Sequence, residues 1–172
     1  AIGRLEDAKP GVEFLMSGDW ESAFAGAKLL NEKNRERKEI VNAITEEAAE
    51  IIESDSAIRD SLVLVVAKEG WHEGVIGIVA SRLVEKYYKP VIVFSIDPET
   101  GLAKGSGRSI EGFHIYNELA KNRDILPHFG GHPMAAGMTI SVEHIDELRE
   151  RLHLQAATCL TEESLTPKLA ID

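Results

Sequence analysis

The sequence predicts an α/β fold, a mixed β-sheet flanked by helices and preceded by one long connecting helix, on three observations. Two short, β-branched apolar runs, residues 62–67 (LVLVVA) and 91–95, bracket an amphipathic segment at 75–88. That is a strand–helix–strand unit, which implies a parallel pair and a crossover. Further strand-like segments at 102–109 and 134–140 alternate with helical patterns at 115–122 and 142–154. Ahead of all of these runs a helical stripe from about residue 19 to residue 53, with no proline and no break except Gly26.

Taken in order, residues 1–18 read as a loop with a short helix around 12–16. Asp19 is a fitting N-cap, with Trp20 at the first helical position and Glu21 at the positive helix end. Ala27, Leu30, Asn34, Arg37, Val41, Ile44, Ala48 and Ile51 recur by threes and fours, apolar at both ends and polar in the middle. A helix of roughly 34 residues is about 50 Å long at 1.5 Å per residue, longer than a domain of this size. It reads as a connector, docked at each end and solvated between; two helices with a bend near the charged run 31–39 are the alternative. Ile76, Val79, Ala80, Leu83, Val84 and Tyr87 share one face of the next helix, and Pro90 stops it. Asp97-Pro98-Glu99-Thr100-Gly101 is a turn. Gly105 and Gly107 interrupt the strand at 102–109, and Ala135-Ala136-Gly137 keep the one at 134–140 thin. Residues 165–171 read as a terminal strand.

The 172 residues carry 19 basic and 29 acidic side chains, a formal charge of −10, and a single cysteine, Cys159. One cysteine excludes an internal disulfide framework and a Cys-rich zinc site, and points to a reducing cytoplasm. No apolar run reaches the roughly 20 residues of a membrane span. The acidic total argues against a nucleic-acid binder until it is divided by position. Residues 1–60 are net −6 and 142–172 net −4, while 61–141 are neutral and hold four of the six histidines. Ten of the fourteen glycines also fall between Gly70 and Gly137. Binding or chemistry belongs in that centre.

Three motifs lie there. Trp71-His72-Glu73-Gly74-Val75-Ile76-Gly77 joins a strand end to a helix N-terminus, where ligands and anions bind in open α/β sheets. His72 can donate to a phosphate and Trp71 can stack on a base; equally, Trp71 is core and His72 a turn residue. In Gly105-Ser106-Gly107-Arg108-Ser109 the glycines let backbone approach a ligand while Arg108 grips phosphate. The structural alternative is a bulge with Arg108 in a surface ion pair. In Phe129-Gly130-Gly131-His132-Pro133-Met134-Ala135-Ala136-Gly137, paired glycines precede an imidazole suited to phosphate binding or acid–base work. The alternative there is a buried histidine in a tight turn. The eight aspartates are scattered and none adjoins a histidine, so the clustered ligands of two-metal hydrolysis are missing. Cys159 reads as a packed thiol rather than a nucleophile.

Together these motifs, extended through Ile78-Val79-Ala80-Ser81-Arg82-Leu83, resemble the DHHA1 domain of the RecJ family, single-strand-specific DNA exonucleases of the DHH phosphoesterase superfamily. Gly3-Arg4-Leu5 resembles the tail of that family's glycine-arginine motif, and the long helix its interdomain connector. Leu165-Thr166-Pro167 and the apolar 169–171 resemble the lead into its oligonucleotide-binding barrel. The resemblance implies a catalytic-junction tail at 1–18, a connector helix at 19–56, a DHHA1 substrate-binding domain at 57–160 and the start of a linker at 161–172. It implies a larger parent enzyme that removes nucleotides from 5′ ends of single-stranded DNA in repair and recombination. Mn²⁺ or Mg²⁺ would be bound by a DHH domain outside this sequence, with no metal ligand in this fragment. By match to the motifs, Arg108 and His132 would hold substrate phosphate, His132 in an assisting role, with Ser106, Ser109 and the Gly130-Gly131 backbone around them. Arg4 would sit where connector and catalytic domain meet, and Trp71 and His72 would shape the wall. Single-strand-binding protein and a helicase are implied partners, in the cytoplasm and away from membranes. The fragment alone is expected to be inactive and to bind DNA weakly. A relative acting on oligoribonucleotides or cyclic dinucleotides shares the GGH…AAG motif, but joins its domains by a short linker and lacks the Trp-His motif. A non-catalytic nucleotide-binding module, of the kind alanyl-tRNA synthetases carry, is the third reading.

Overall fold

The computed structural model describes residues 2–166. Two short helices, α1 (Ile2–Leu5) and α2 (Lys9–Leu15), precede α3 (Trp20–Ser54), which is one continuous helix of 35 residues without the alternative bend. Asp19 caps it as expected, its carboxylate accepting from the Ser22 N–H at 2.8 Å. Gly26, the one break in the pattern, makes room for α2: a Cβ there would lie 2.6 Å from the Phe14 ring. The buried positions of α3 are all in its C-terminal half, Val41, Ile44, Ala48 and Ile52. Ile52 takes the fully buried place that the stripe assigned to Ile51. The middle is solvated and Lys33 there bridges Glu6 and Glu36. The N-terminal end leaves Trp20 and Phe24 stacked on each other at 5.2 Å and exposed.

After α4 (Ser56–Arg59) come β1 (Leu64–Glu69), α5 (Ile76–Tyr87), β2 (Val91–Asp97), β3 (Leu102–Arg108), α6 (Ile115–Ala120), β4 (His128–His132), β5 (Ala135–Ser141), a single 3₁₀ turn and α7 (Ile145–Cys159). The five strands form one mixed sheet in the order β1-β2-β3-β5-β4. β1 and β2 are parallel, as the strand–helix–strand pattern predicts, and every other pair is antiparallel. β4 is absent from the sequence reading, which assigns no element to residues 128–132. The expected terminal strand is not seen in Leu165 and Thr166, which lie in a turn, and the rest of it falls outside the described residues.

Burial divides the sheet into two halves. Leu64, Val66, Val91 and Val93 face α3, α4 and α5, while Val65, Ile92 and Phe94 face the α6–α7 side. Strands buried on both faces need continuous apolar runs, which is how β1 and β2 read. β3 and β5 instead alternate: Ala103, Gly105 and Gly107, with Ala136, Met138 and Ile140, point into the α6–α7 core. On the opposite face of β3, β5 and β4, α5 approaches Ser106 and Arg108, and Glu73 reaches Lys104. This half-sheet is where the candidate site residues Arg108, Ser106 and His132 lie.

Candidate functional site

Side chains alternate across a strand, so the pairing registers define what that face presents. Three rows cross it: Arg108–Ala135–His132, Ser106–Gly137–Gly130 and Lys104–Thr139–His128. Arg108, Ser106, His132 and Gly130, chosen from two separate stretches of sequence, thus meet on one surface, while Gly131 pairs with Ala136 and alternates to the other side. β4 brings the histidine there, a strand that has too little β-propensity to be read from Gly-Gly.

Arg108 is half-buried, its Nη1 donating to the Ser106 Oγ at 3.1 Å and to the Gly107 carbonyl at 2.7 Å. Burial, and after it the charge of Arg4, holds its guanidinium below the ordinary arginine value. Arg4 comes from the N-terminal α1 and donates to the Gly74 carbonyl at 3.2 Å. Among the described residues neither guanidinium has a carboxylate partner. Two like charges kept close, one of them partly desolvated, are an arrangement that an anion relieves. His132 is exposed and its ring has no hydrogen-bond partner among the described residues. The buried-histidine alternative is therefore set aside.

Two glycines of the first motif make this possible. A Cβ on Gly77, in the first turn of α5, would stand 2.9 Å from both the Arg108 Nη2 and the Ser106 Oγ. A Cβ on Gly74 would overlap the Arg4 carbonyl oxygen. The motif by itself gives Gly77 no role; its contact with Arg108 is a tertiary fact that spacing along the chain does not carry. Gly77→Ala should displace the guanidinium and weaken phosphate binding a few-fold while leaving the melting temperature within about 2 °C.

Several sequence expectations are corrected. Gly105 and Gly107 do not face a ligand and mark no bulge, for β3 pairs without interruption on both sides. A Cβ on Gly105 would collide with Phe94, and one on Gly107 would reach Ile115. Ser109 is buried on that same core side, its hydroxyl donating to the Phe113 carbonyl at 2.6 Å and its N–H to that of Met134. It leaves the site. The Ala135-Ala136-Gly137 run does not thin the strand for packing throughout: a Cβ on Gly137 would meet nothing within 4 Å. Cys159 is exposed rather than packed, and its thiol sits above the ordinary value through burial and the Glu118 charge, a poor nucleophile.

Trp71 is also core, 4% exposed, and so has no face for a base. Its indole N–H donates to Glu47 of α3 at 2.9 Å, and Lys68 joins the same carboxylate. His72 accepts from the Gly74 N–H at 3.0 Å and braces the turn that receives Arg4. Trp71→Phe should cost about 1 kcal/mol in urea denaturation and leave nucleic-acid binding unchanged. The Trp71 N–H first, and then Lys68, hold the Glu47 carboxyl below the usual range. Since the folded value is the lower one, this stability is present above the ordinary glutamate range and is lost as pH falls through the folded value. Glu47→Gln should flatten the acid limb of the stability curve below about pH 4.

Among the described residues no group of three or more His, Cys, Asp or Glu stands close enough to hold a metal ion. The residues present do not fit Mn²⁺ or Mg²⁺. No described helix is long and apolar enough to cross a membrane. A hollow of about 650 Å³ lies between α4 and α7, near the β1 edge. Asp55, Asp60, Asp146 and Glu150 line it against Arg149, and that balance repels nucleic acid.

A mixed sheet with a long preceding helix, and an uncovered half-sheet carrying SGRS and GGH segments, define a known domain class. The chain belongs to the DHHA1 domain family, whose match covers residues 60–158. It is 49% identical over its whole length to the single-stranded-DNA-specific exonuclease RecJ of Bacillus subtilis, covering 22% of that protein. It is 37% identical, over 96% of the chain, to RecJ of Haemophilus influenzae, covering 30% of it. The crystal structure of RecJ from Thermus thermophilus in complex with Mn²⁺ superposes with a TM-score of 0.80 at 26% identity, over 92% of this chain and 23% of that one. The same protein with Mg²⁺ gives 0.78. The chain spans between a fifth and a third of the length of these relatives.

Proposed function

We propose that this chain supplies the phosphate-gripping wall of a RecJ-like, metal-dependent 5′–3′ exonuclease acting on single-stranded DNA in repair and recombination. The observation that carries the reading is the Arg108–Arg4 pair, two guanidinia without a carboxylate among the described residues, beside an uncovered half-sheet. Arg108 grips a phosphate with two parallel bonds, a geometry a lysine does not offer. His132 reaches the same phosphate from the end of β4, and the Gly130-Gly131 backbone lets the strand lie close. Ser106 keeps Arg108 aimed.

Catalysis belongs to a DHH domain of the same polypeptide, which binds Mn²⁺ or Mg²⁺ and faces this wall. The exposed Trp20–Phe24 stack supports the docking of that helix end on a further domain. In this reading the enzyme works in the cytoplasm beside single-strand-binding protein and a helicase. The isolated chain should show no nuclease activity with added Mn²⁺. Turnover that survives repurification and disappears in His132→Ala would overturn the division of labour. Its binding to a 5′-phosphorylated single strand should be weak and salt-sensitive.

A further inference from the structure

The row farthest from Arg108 has no part in the grip just described, yet it repeats the same chemistry. Lys104 and His128 stand on β3 and β4, on either side of Thr139 of β5, as Arg108 and His132 stand on either side of Ala135. Each row is two residues from the next, about 6.7 Å along a strand, a step of the order of one nucleotide of an extended backbone. The cation–imidazole pair thus occurs at both ends of the surface, with Ser106, Gly137 and Gly130 between.

The middle row is bare for no reason internal to the fold. A Cβ on Gly137 or on Gly130 would meet nothing within 4 Å, and neither residue has a positive φ. Glycine costs a strand stability, so two facing glycines over open space keep the floor clear for something laid on it. A groove of about 460 Å³ runs over this floor, lined by Ser106, Gly137, Lys104, Thr139 and His128, with Glu73 at its edge. Among the described residues the His128 ring and the Thr139 hydroxyl have no hydrogen-bond partner. Lys104 is joined to Glu73 at 2.8 Å, but both side chains are half exposed, so the pair is weak and exchangeable.

We propose that Lys104, Thr139 and His128 form a second phosphate subsite, which takes a downstream phosphate of the same strand. The glycine floor carries the backbone between it and Arg108. This rests on the Arg108 grip and extends it: the strand runs along β3 from Arg108 towards Lys104, and Glu73 competes with it for the lysine.

The test measures binding of 5′-phosphorylated thymidine oligonucleotides of one and four nucleotides to the full chain by NMR titration. The double variant Lys104→Ala/His128→Ala should weaken the tetranucleotide about tenfold and leave the mononucleotide unchanged. Gly137→Val, which raises the floor without removing charge, should do the same, and Glu73→Gln should tighten the tetranucleotide alone. Arg108→Ala should weaken both ligands. If Arg108→Ala weakens both and the double variant neither, the second subsite is overturned and the grip stands. If Arg108→Ala weakens neither, the grip fails, and the subsite with it.

Discussion

Gly105→Val should destabilise the protein by about 3 kcal/mol, lowering the melting temperature by roughly 6–12 °C, while Gly137→Val leaves it nearly unchanged. The two glycines sit one pairing apart on adjacent strands, β3 and β5. They differ in the face they present. A Cβ at Gly105 lies against the Phe94 ring and 2.9 Å from the Met138 side chain, both in the closed core. Neither neighbour can retreat from a packed interior without forcing others off their rotamers. The same atom at Gly137 enters open space. Valine even favours a strand. Calorimetry on the two variants reads the contrast directly, and equal losses would show that the sheet has no bare face.

The second large effect is on affinity. Arg108→Ala should reduce binding of a 5′-phosphorylated single strand by about 10- to 100-fold, on the scale of 1.5–3 kcal/mol for hydrogen bonds to a charged group. Arg108→Lys should recover only part of it, because an ammonium cannot make the paired bonds of a guanidinium. Removing Arg108 also relieves its desolvation and its repulsion by Arg4, so the variant should be at least as stable as the parent chain. Loss of binding with undiminished stability marks a residue held in place for a ligand. Fluorescence anisotropy across a salt series, alongside thermal denaturation, separates the two.

Much of this was legible in the sequence, for reasons that differ element by element. The strand–helix–strand core followed from periodicity because β1, α5 and β2 are buried continuously, and burial writes itself into composition. The long helix and its Asp19 cap were equally local. β4 was not, since His-Phe-Gly-Gly-His has no strand propensity of its own and is held in the sheet only by its pairing with β5. Arg108, Ser106 and His132 could be chosen by their chemistry, but the faces could not be told apart by residue type. Gly105 and Gly107 read like ligand-facing glycines and are core, whereas Gly130 and Gly137 stand open. A strict alternation through residues 102–108 opposes Ser106 and Arg108 to the glycines between them, and it was the signal passed over. Trp71 and Arg4 depended on contacts across 24 and 70 residues, to Glu47 and to Gly74, which no local pattern encodes.

The net charge of −10 is compatible with the proposed nucleic-acid surface because its excess lies in the flanks, while Arg108 and Arg4, without a carboxylate partner among the described residues, stand at one half-sheet. The account stands on that half-sheet being where a strand lies. Backbone amide shifts recorded while the chain is titrated with a 5′-phosphorylated oligothymidylate test it most directly. The predicted perturbations fall on β3, β4 and β5, the first turn of α5 and the Arg4 segment. Shifts centred instead on the hollow between α4 and α7, with β3 and β4 unmoved, would contradict it.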